Sequence, residues 1–491
     1  MPNSHLTLQR GQRRTFALDS IPILSFDHFQ AFLKTGLAGE NFPLAYFAHP
    51  RGSKLQYIMV IASGDTLFLS SFMADKGEPQ SSLSATYASL QFFEREITHS
   101  HSVTFIGHPW PKPVRGQTDS YPFERVTNPA YHLVNVGPVH AGVIEPGVFR
   151  FICHGEKVIN LECALGYQHR GVEPLIVSSK NNLRRLCLAE QVAAGSTIGH
   201  SLAMALLLEQ GAAVQDELTL ERMVALEMER MAGHLGCVAA LSGDVAYQLG
   251  LVACQALRTV VINTMQLWCG NRFGRTLIRP FGSFYPLGQE LMERVQENLG
   301  DVNSRMLSVS HNLLNMPTLL SRLEEVCTIS PREVLLLGGV GVVARSTAIG
   351  RDSRQGLSDL SIKDFTPVVF EQGDMVSRLK VRLMEIHQSY KFIQGALQEL
   401  RAKGGSRPRS AVDYGRALEP DSMTFSLVEG VVGPICHLAL TDGHGELEQY
   451  KVYDPSLHNW PLLALSMRGG QISDFPLSNK SFELSYSGTD L

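Results

Sequence analysis

The chain has 491 residues, 44% hydrophobic and 18% charged, with a net charge of -4 and a pI near 6.5. That length exceeds one ordinary hydrophobic core and predicts two to four domains at roughly 150 residues each. The slightly acidic balance excludes the basic footprint of a nucleic-acid partner, and the apolar content excludes a disordered chain.

The opening MPNSHL lacks a charged region ahead of an apolar stretch, so no secretory signal is expected there. No run of about 18 apolar residues predicts a transmembrane helix. The nearest approach, 334–344, is shorter and holds three glycines. Residues 1–118 read as an α/β segment. Within it, 56–62 and 66–72 have strand composition around the turn Ser63-Gly64-Asp65, and 87–97 has a helical pattern. The stretch GHPWPKPVRG at 107–116 ends that segment, and 119–130 reads as a linker.

From 131 to about 176 the pattern favours strands and turns, after which helices dominate. Residues 181–210 read as one helix or two broken at Gly195, and 217–241 as a second helical stretch. Residues 374–401 follow, with Val376, Leu379, Leu383, Ile386 and Tyr390 on one face. Gly373-Asp374 supplies a start signal there and Gly404-Gly405 follows the end. The expected fold class is α+β: an α/β unit, then a mainly helical bundle with small flanking sheets over 131–491. Eight cysteines, none in a C-x-x-C or C-x-C pair, are expected to be reduced and buried.

GVGVVA at 339–344 fits the dinucleotide fingerprint, and 333–337 reads as a strand ahead of it. The sequence after it has no helical apolar stripe, so a tight structural turn is the expectation. Asp454, Ser456 and His458 have triad residue types within five positions. A triad is a matter of geometry, and a capped turn is the expected use.

Several segments in order carry a family resemblance: NVGPVHAGVIEPGVFRF at 135–151, LGYQHRGVE at 165–173, LEMERMAGH at 226–234, residues 341–354, GDMVSR at 373–378 and DFPLSNKSFELSYSG at 474–488. They resemble the large subunit of group 4, energy-converting nickel–iron hydrogenases and the complex I 49-kDa subunit. FEREI at 93–97 and FIGHP at 105–109 resemble the complex I 30-kDa subunit, which is fused ahead of the large subunit in formate-hydrogenlyase-type enzymes.

The departures from that pattern fall on the metal ligands. Where the family reads E-R-V-C-G-I-C-S-x-x-H, this chain has Ala193 and Ser196 at the cysteine positions. Where it reads D-P-C-x-x-C, Ser456 and Asn459 stand. Glu190, His200, Asp454 and Pro455 are retained, and Val432 replaces an arginine of the family's E-x-x-R-G stretch. A nickel–iron site needs thiolates, which alanine, serine and asparagine do not supply, so hydrogenase activity and a bound metal are not expected.

The resemblance implies a role for Glu173 in proton transfer, set against the plainer reading of a carboxylate paired with an arginine such as Arg170. It implies polar contacts from His140, Glu145 and His200, with His140 and Gln191 as quinone contacts. Ile144 stands where complex I has its second histidine. No cofactor is expected in this chain itself. The partners implied are an iron–sulfur small subunit like the complex I 20-kDa subunit, and antiporter-like and anchor membrane subunits. The chain would be peripheral, on the cytoplasmic face. The functions left open are a redox or proton-coupling subunit, a non-catalytic scaffold, a hydrogenase with altered ligands, and an independent NAD-dependent enzyme.

Overall fold

A computed structural model describes all residues except 1–4, 10–13, 116–120, 143, 361, 363 and 405–410. Part of the opening stretch, the first residues of the linker, Val143 and Gly405 therefore lie outside the described residues. The chain is an α+β protein.

The N-terminal unit is built on strands Phe42–Arg51, Lys54–Ser63 and Thr66–Asp75, an antiparallel meander joined at two tight turns. Gly52 and Gly64 occupy the left-handed region in those turns, which a side chain would resist. Leu6–Gln9 extends the sheet beside Thr66–Asp75, and Ile23–Leu24 adds a short parallel pairing to the same strand. Helix Phe26–Gly36, capped by Ser25, packs on the sheet, and helix Gln91–His101 packs against Phe42–Arg51.

The helical unit centres on four long helices: Asp216–Asp244, Gln248–Cys269, Gln289–Leu314 and Met375–Ala402. Each packs against two of the others, which closes a four-helix bundle. Asp374 caps the last of them by accepting from the Ser377 N–H at 2.8 Å. Two sheets flank the bundle. One orders Lys157–Ala164, Val148–His154 and His132–Val136. The other orders Leu447–Tyr453, Pro434–Thr441, Ser422–Glu429 and Thr15–Ala17. The N-terminal strand thus completes a sheet made by residues some 400 positions later, and the core of the N-terminal unit runs on into Phe425, Leu438 and Leu457.

Three elements differ from the sequence reading: Val172–Ser178 is a helix within a stretch expected to be strands and turns, Gly341–Arg345 is a short helix where a turn was expected, and the third lies just ahead of it. Residues 333–337 are not a strand but part of helix Pro331–Leu337. The reason is local. Ser330 and Glu333 form a reciprocal capping box, Pro331 opens the first turn, and Gly338 ends the helix in the left-handed region. A side chain at Gly341, the next glycine but one, would collide with the Val432 carbonyl. The glycine-rich turn is therefore filled by its own chain, with no strand feeding it.

Candidate functional site

Helices Asn182–Ala189 and Thr197–Glu209 are separated by a turn that carries Ala193 to Ser196. The turn faces a cavity of about 300 Å³. Other parts of the wall come from Ile144 and Glu145, from Gly236 and Cys237 of the Asp216–Asp244 helix, from Val431 and Val432, from Asp454, and from the C-terminal segment through Tyr486. A second cavity of about 120 Å³ shares Ala194, Gly195, Gly236 and Glu483 with the first.

Of the residues singled out in the sequence, Glu145, Ala193, Ser196 and Asp454 line the larger cavity. Glu145 accepts from the Tyr486 and Ser487 N–H groups at 3.1 and 3.2 Å, tying the C-terminal tail to the wall. Asp454 starts helix Pro455–Ser466, accepting from the Ser456 N–H at 2.8 Å, and its other oxygen meets His200 Nε2 at 3.1 Å. Burial pushes the Asp454 carboxyl up, but the bonds from His200 and Ser456 hold it below the usual carboxylate range.

The remaining candidates lie elsewhere. His140 donates from Nε2 to the Gly147 carbonyl at 2.8 Å and closes its own loop. Gln191 is exposed and donates to the Cys187 carbonyl at 3.1 Å. Glu173 pairs not with Arg170 but with Lys451, at 2.6 Å, and accepts from the Val452 N–H at 2.9 Å. Arg170 instead donates to the carbonyls of Gln191 and Val192. Lys451 also faces Glu96 at 3.8 Å, and Glu96 pairs with Arg115 at 3.0 Å. Glu173 thus opens a row of charges leading into the N-terminal unit. Burial would lower the Lys451 ammonium, yet Glu173 and Glu96 raise it above its ordinary value.

Ser456 accepts from the Ser485 N–H at 2.8 Å. Asn459 holds the backbone of Val340, accepting from its N–H at 3.1 Å and donating to its carbonyl at 3.2 Å. His458, in the same helical turn, lies edge-on to Phe42 and Phe93, and its Nδ1 has no hydrogen-bond partner among the described residues. Asp454, Ser456 and His458 form a capped turn, not a triad.

Two features were not legible as site elements. The first is a buried ion cluster. Arg345 reaches Glu385 at 2.8 Å and Glu429 at 3.0 Å, Arg354 reaches Asp352 at 2.7 Å, and His234 meets Glu385 at 2.8 Å. Burial raises the Glu385 carboxyl, but Arg345, His234 and Arg354 hold it well below its ordinary range. Arg230 grips the carbonyls of Glu429 and Gly430, which fixes the turn bearing Val432. The other is Glu229, in the wall of the smaller cavity. It accepts from the Ile198 and Gly199 N–H groups at 2.6 and 3.0 Å, and burial still pushes its carboxyl up to about 8. The sequence signals for these groups were the acidic and basic residues of 226–234 and 345–354 and the counterpart of the E-x-x-R-G stretch that begins at Glu429, and spacing does not reveal their pairing.

Residues 244–490, half of the chain, match the family described as the 49-kDa subunit of respiratory-chain NADH dehydrogenase. The chain belongs to that 49-kDa subunit family. Membrane-bound hydrogenase subunit alpha of Pyrococcus furiosus is 24% identical to this family member over 72% of this chain and 86% of its own. Formate hydrogenlyase subunit 5 of Escherichia coli is 25% identical over 73% of this chain, which spans 63% of that relative's length. A subunit of the NADH-quinone oxidoreductase of Streptomyces avermitilis is 22% identical over 81% of this chain and 97% of its own. Among solved structures, a chain from the membrane-bound sulfane sulfur reductase, an archaeal respiratory membrane complex, shares the fold. Its TM-score is 0.66 at 19% identity, covering 75% of this chain and all of that one. Among the described residues of this 49-kDa family member, no helix is long and apolar enough to cross a membrane. Its eight cysteines are free thiols.

Proposed function

We propose that this chain is the large subunit of a membrane-associated complex related to complex I and to energy-converting hydrogenases. It works there without a nickel–iron centre and couples electron transfer or proton uptake to ion translocation. The observation that carries this reading is the donor set at the four ligand positions. Ala193 has no donor atom, Ser196 offers a hydroxyl, and Ser456 and Asn459 are committed to backbone groups of Ser485 and Val340. Soft metal sites need deprotonated sulfur, so these residues do not fit the metal pair, and no step is routed through it.

The cavity itself remains, with carboxylates of Glu145, Asp454 and Glu483 in its wall. It is the entry point for an acceptor such as a quinone headgroup, with Glu145 and Asp454 as its polar contacts. Glu173 links to the N-terminal unit through Lys451 and Glu96, which supports a role in carrying charge between the two units. The chain sits peripherally on the cytoplasmic face, beside an iron–sulfur small subunit and antiporter-like and anchor membrane subunits. A scaffold role is the second reading, favoured by the same loss of thiols.

The test is to purify the tagged chain from its own membranes in mild detergent. Co-purifying proteins are identified by mass spectrometry, nickel is measured, and clusters are read by electron paramagnetic resonance. The proposal expects a cluster-bearing small subunit, antiporter-like membrane proteins and no stoichiometric nickel. Membrane partners without a cluster select the scaffold. A solitary chain, or nickel at one per chain, overturns both.

A further inference from the structure

Four polar side chains form a single file inward from the larger cavity. Asp454, in the cavity wall, meets His200 Nε2 at 3.1 Å. His200 Nδ1 lies 2.9 Å from His437 Nε2, and His437 Nδ1 lies 2.6 Å from the Tyr450 hydroxyl. That hydroxyl is also 3.5 Å from the sulfur of Met204. None of the four polar residues is more than 2% exposed, so water does not complete their hydrogen bonding from bulk solvent.

Two ring nitrogens at hydrogen-bond distance share one hydrogen, so the file has two complete patterns. In the unloaded pattern His200 donates from Nε2 to Asp454, His437 donates from Nε2 to His200, and Tyr450 donates to His437 Nδ1. In the loaded pattern His200 is an imidazolium that donates to both Asp454 and His437. His437 then donates from Nδ1 to the Tyr450 oxygen, and the Tyr450 hydroxyl turns to Met204. The first pattern holds three hydrogens on the ring nitrogens and hydroxyl, and the second holds four. Every donor has an acceptor in both, so neither leaves the buried unsatisfied group that would forbid it.

We infer that the Asp454–His200–His437–Tyr450 file is an internal binding site for one proton. The charge sits on His200 against the cavity-wall carboxylate, and the Tyr450 hydroxyl switches between His437 and Met204 as the proton comes and goes. The inference rests on the proton-uptake branch of the proposed function. Burial and the adjacent His200 hold the His437 ring well below its ordinary range, so the second imidazole stays neutral and the capacity is one. Glu173 of helix Val172–Ser178, Arg185 of helix Asn182–Ala189 and Cys436 face Tyr450. His458 faces Asp454, and Glu229 caps the helix that carries His200.

The test is nitrogen-15 NMR of the full chain with labelled histidines between pH 5 and 9, His437 being assigned by its loss in His437→Asn. His437 is expected to change from the Nδ1–H to the Nε2–H tautomer at the same midpoint at which His200 loses its charge. Met204→Leu removes an acceptor used only by the loaded pattern and is expected to lower that midpoint by about half a unit to one unit. A His437 ring that keeps one tautomer across the range overturns the inference, as does a His200 that titrates while His437 does not respond. The variant His437→Asn, and likewise His200→Asn, serves only for assignment, and the titration of the wild-type chain decides. A chain that proves to be a scaffold removes the functional reading and leaves the tautomer switch measurable, so the two failures are distinguishable.

Discussion

Two pairs of residues at the site, Ala193 with Ser196 and Ser456 with Asn459, have opposite surroundings. Ala193 and Ser196 border open space, a methyl and a hydroxymethyl group facing the large cavity. Ser196 makes no side-chain cap bond to the helix it precedes. Ser456 and Asn459 are closed in by hydrogen bonds, and both side chains hold distant backbone. One side of the site is hollow and the other is knitted shut. The difference teaches that hydrogen bonds can hold one wall of a cavity while another wall stays open. The closed side keeps the C-terminal segment and the Val340 turn in place, so the open side does not collapse.

That comparison can be broken by substitution. Asn459→Ala should have the largest effect. It strips a buried N–H and a buried carbonyl of Val340 of their partner and should cost about 2–4 kcal/mol in urea unfolding. A loss below about 0.5 kcal/mol would mean that the closed side is not held by this residue.

His458→Phe sharpens the contrast within a single helical turn. The folded ring is held down to about 4, chiefly by burial and by Arg351, against an ordinary value of 6.5. The unfolded chain therefore binds the proton first as pH falls, and native stability drains away between about pH 6.5 and 4. Phenylalanine suits the Phe42 and Phe93 contacts and does not titrate, so the variant should gain up to about 3 kcal/mol over the parent by pH 4 and nothing at pH 8. An equal gain at both pH values would show a packing effect instead.

Ala193→Cys combined with Ser196→Cys should have the smallest effect, a change within about 1 kcal/mol, because the added sulfur enters existing space. A loss as large as that of Asn459→Ala would show that both sides are closed.

Legibility followed the range of the physics. The 56–72 hairpin was readable because alternation and a Gly-Asp turn act over a few residues, and Lys54–Ser63 paired with Thr66–Asp75 is what forms. Helix Met375–Ala402 was readable from its apolar face and its Asp374 cap. The short apolar run at 333–337 does not distinguish strand from helix by period, and its Ser-Pro capping signal outweighed its strand-like composition. Helices Gln248–Cys269 and Gln289–Leu314 were not singled out at all. The first has a mixed apolar and uncharged exposed face that gives little contrast with its buried one.

By itself, then, the sequence determined the family, the α+β class, the absence of cysteines at four named positions, and the local starts and stops of helices. Each of these depends on residue identity or on contacts within a few positions. The tertiary structure alone decided which side of the site is open, that Glu173 meets Lys451, and that His200, His437, Tyr450 and Asp454 stand in one file. Those pairings join groups far apart in the chain, and only the packing of helix Thr197–Glu209 against the C-terminal sheet brings them within hydrogen-bond reach.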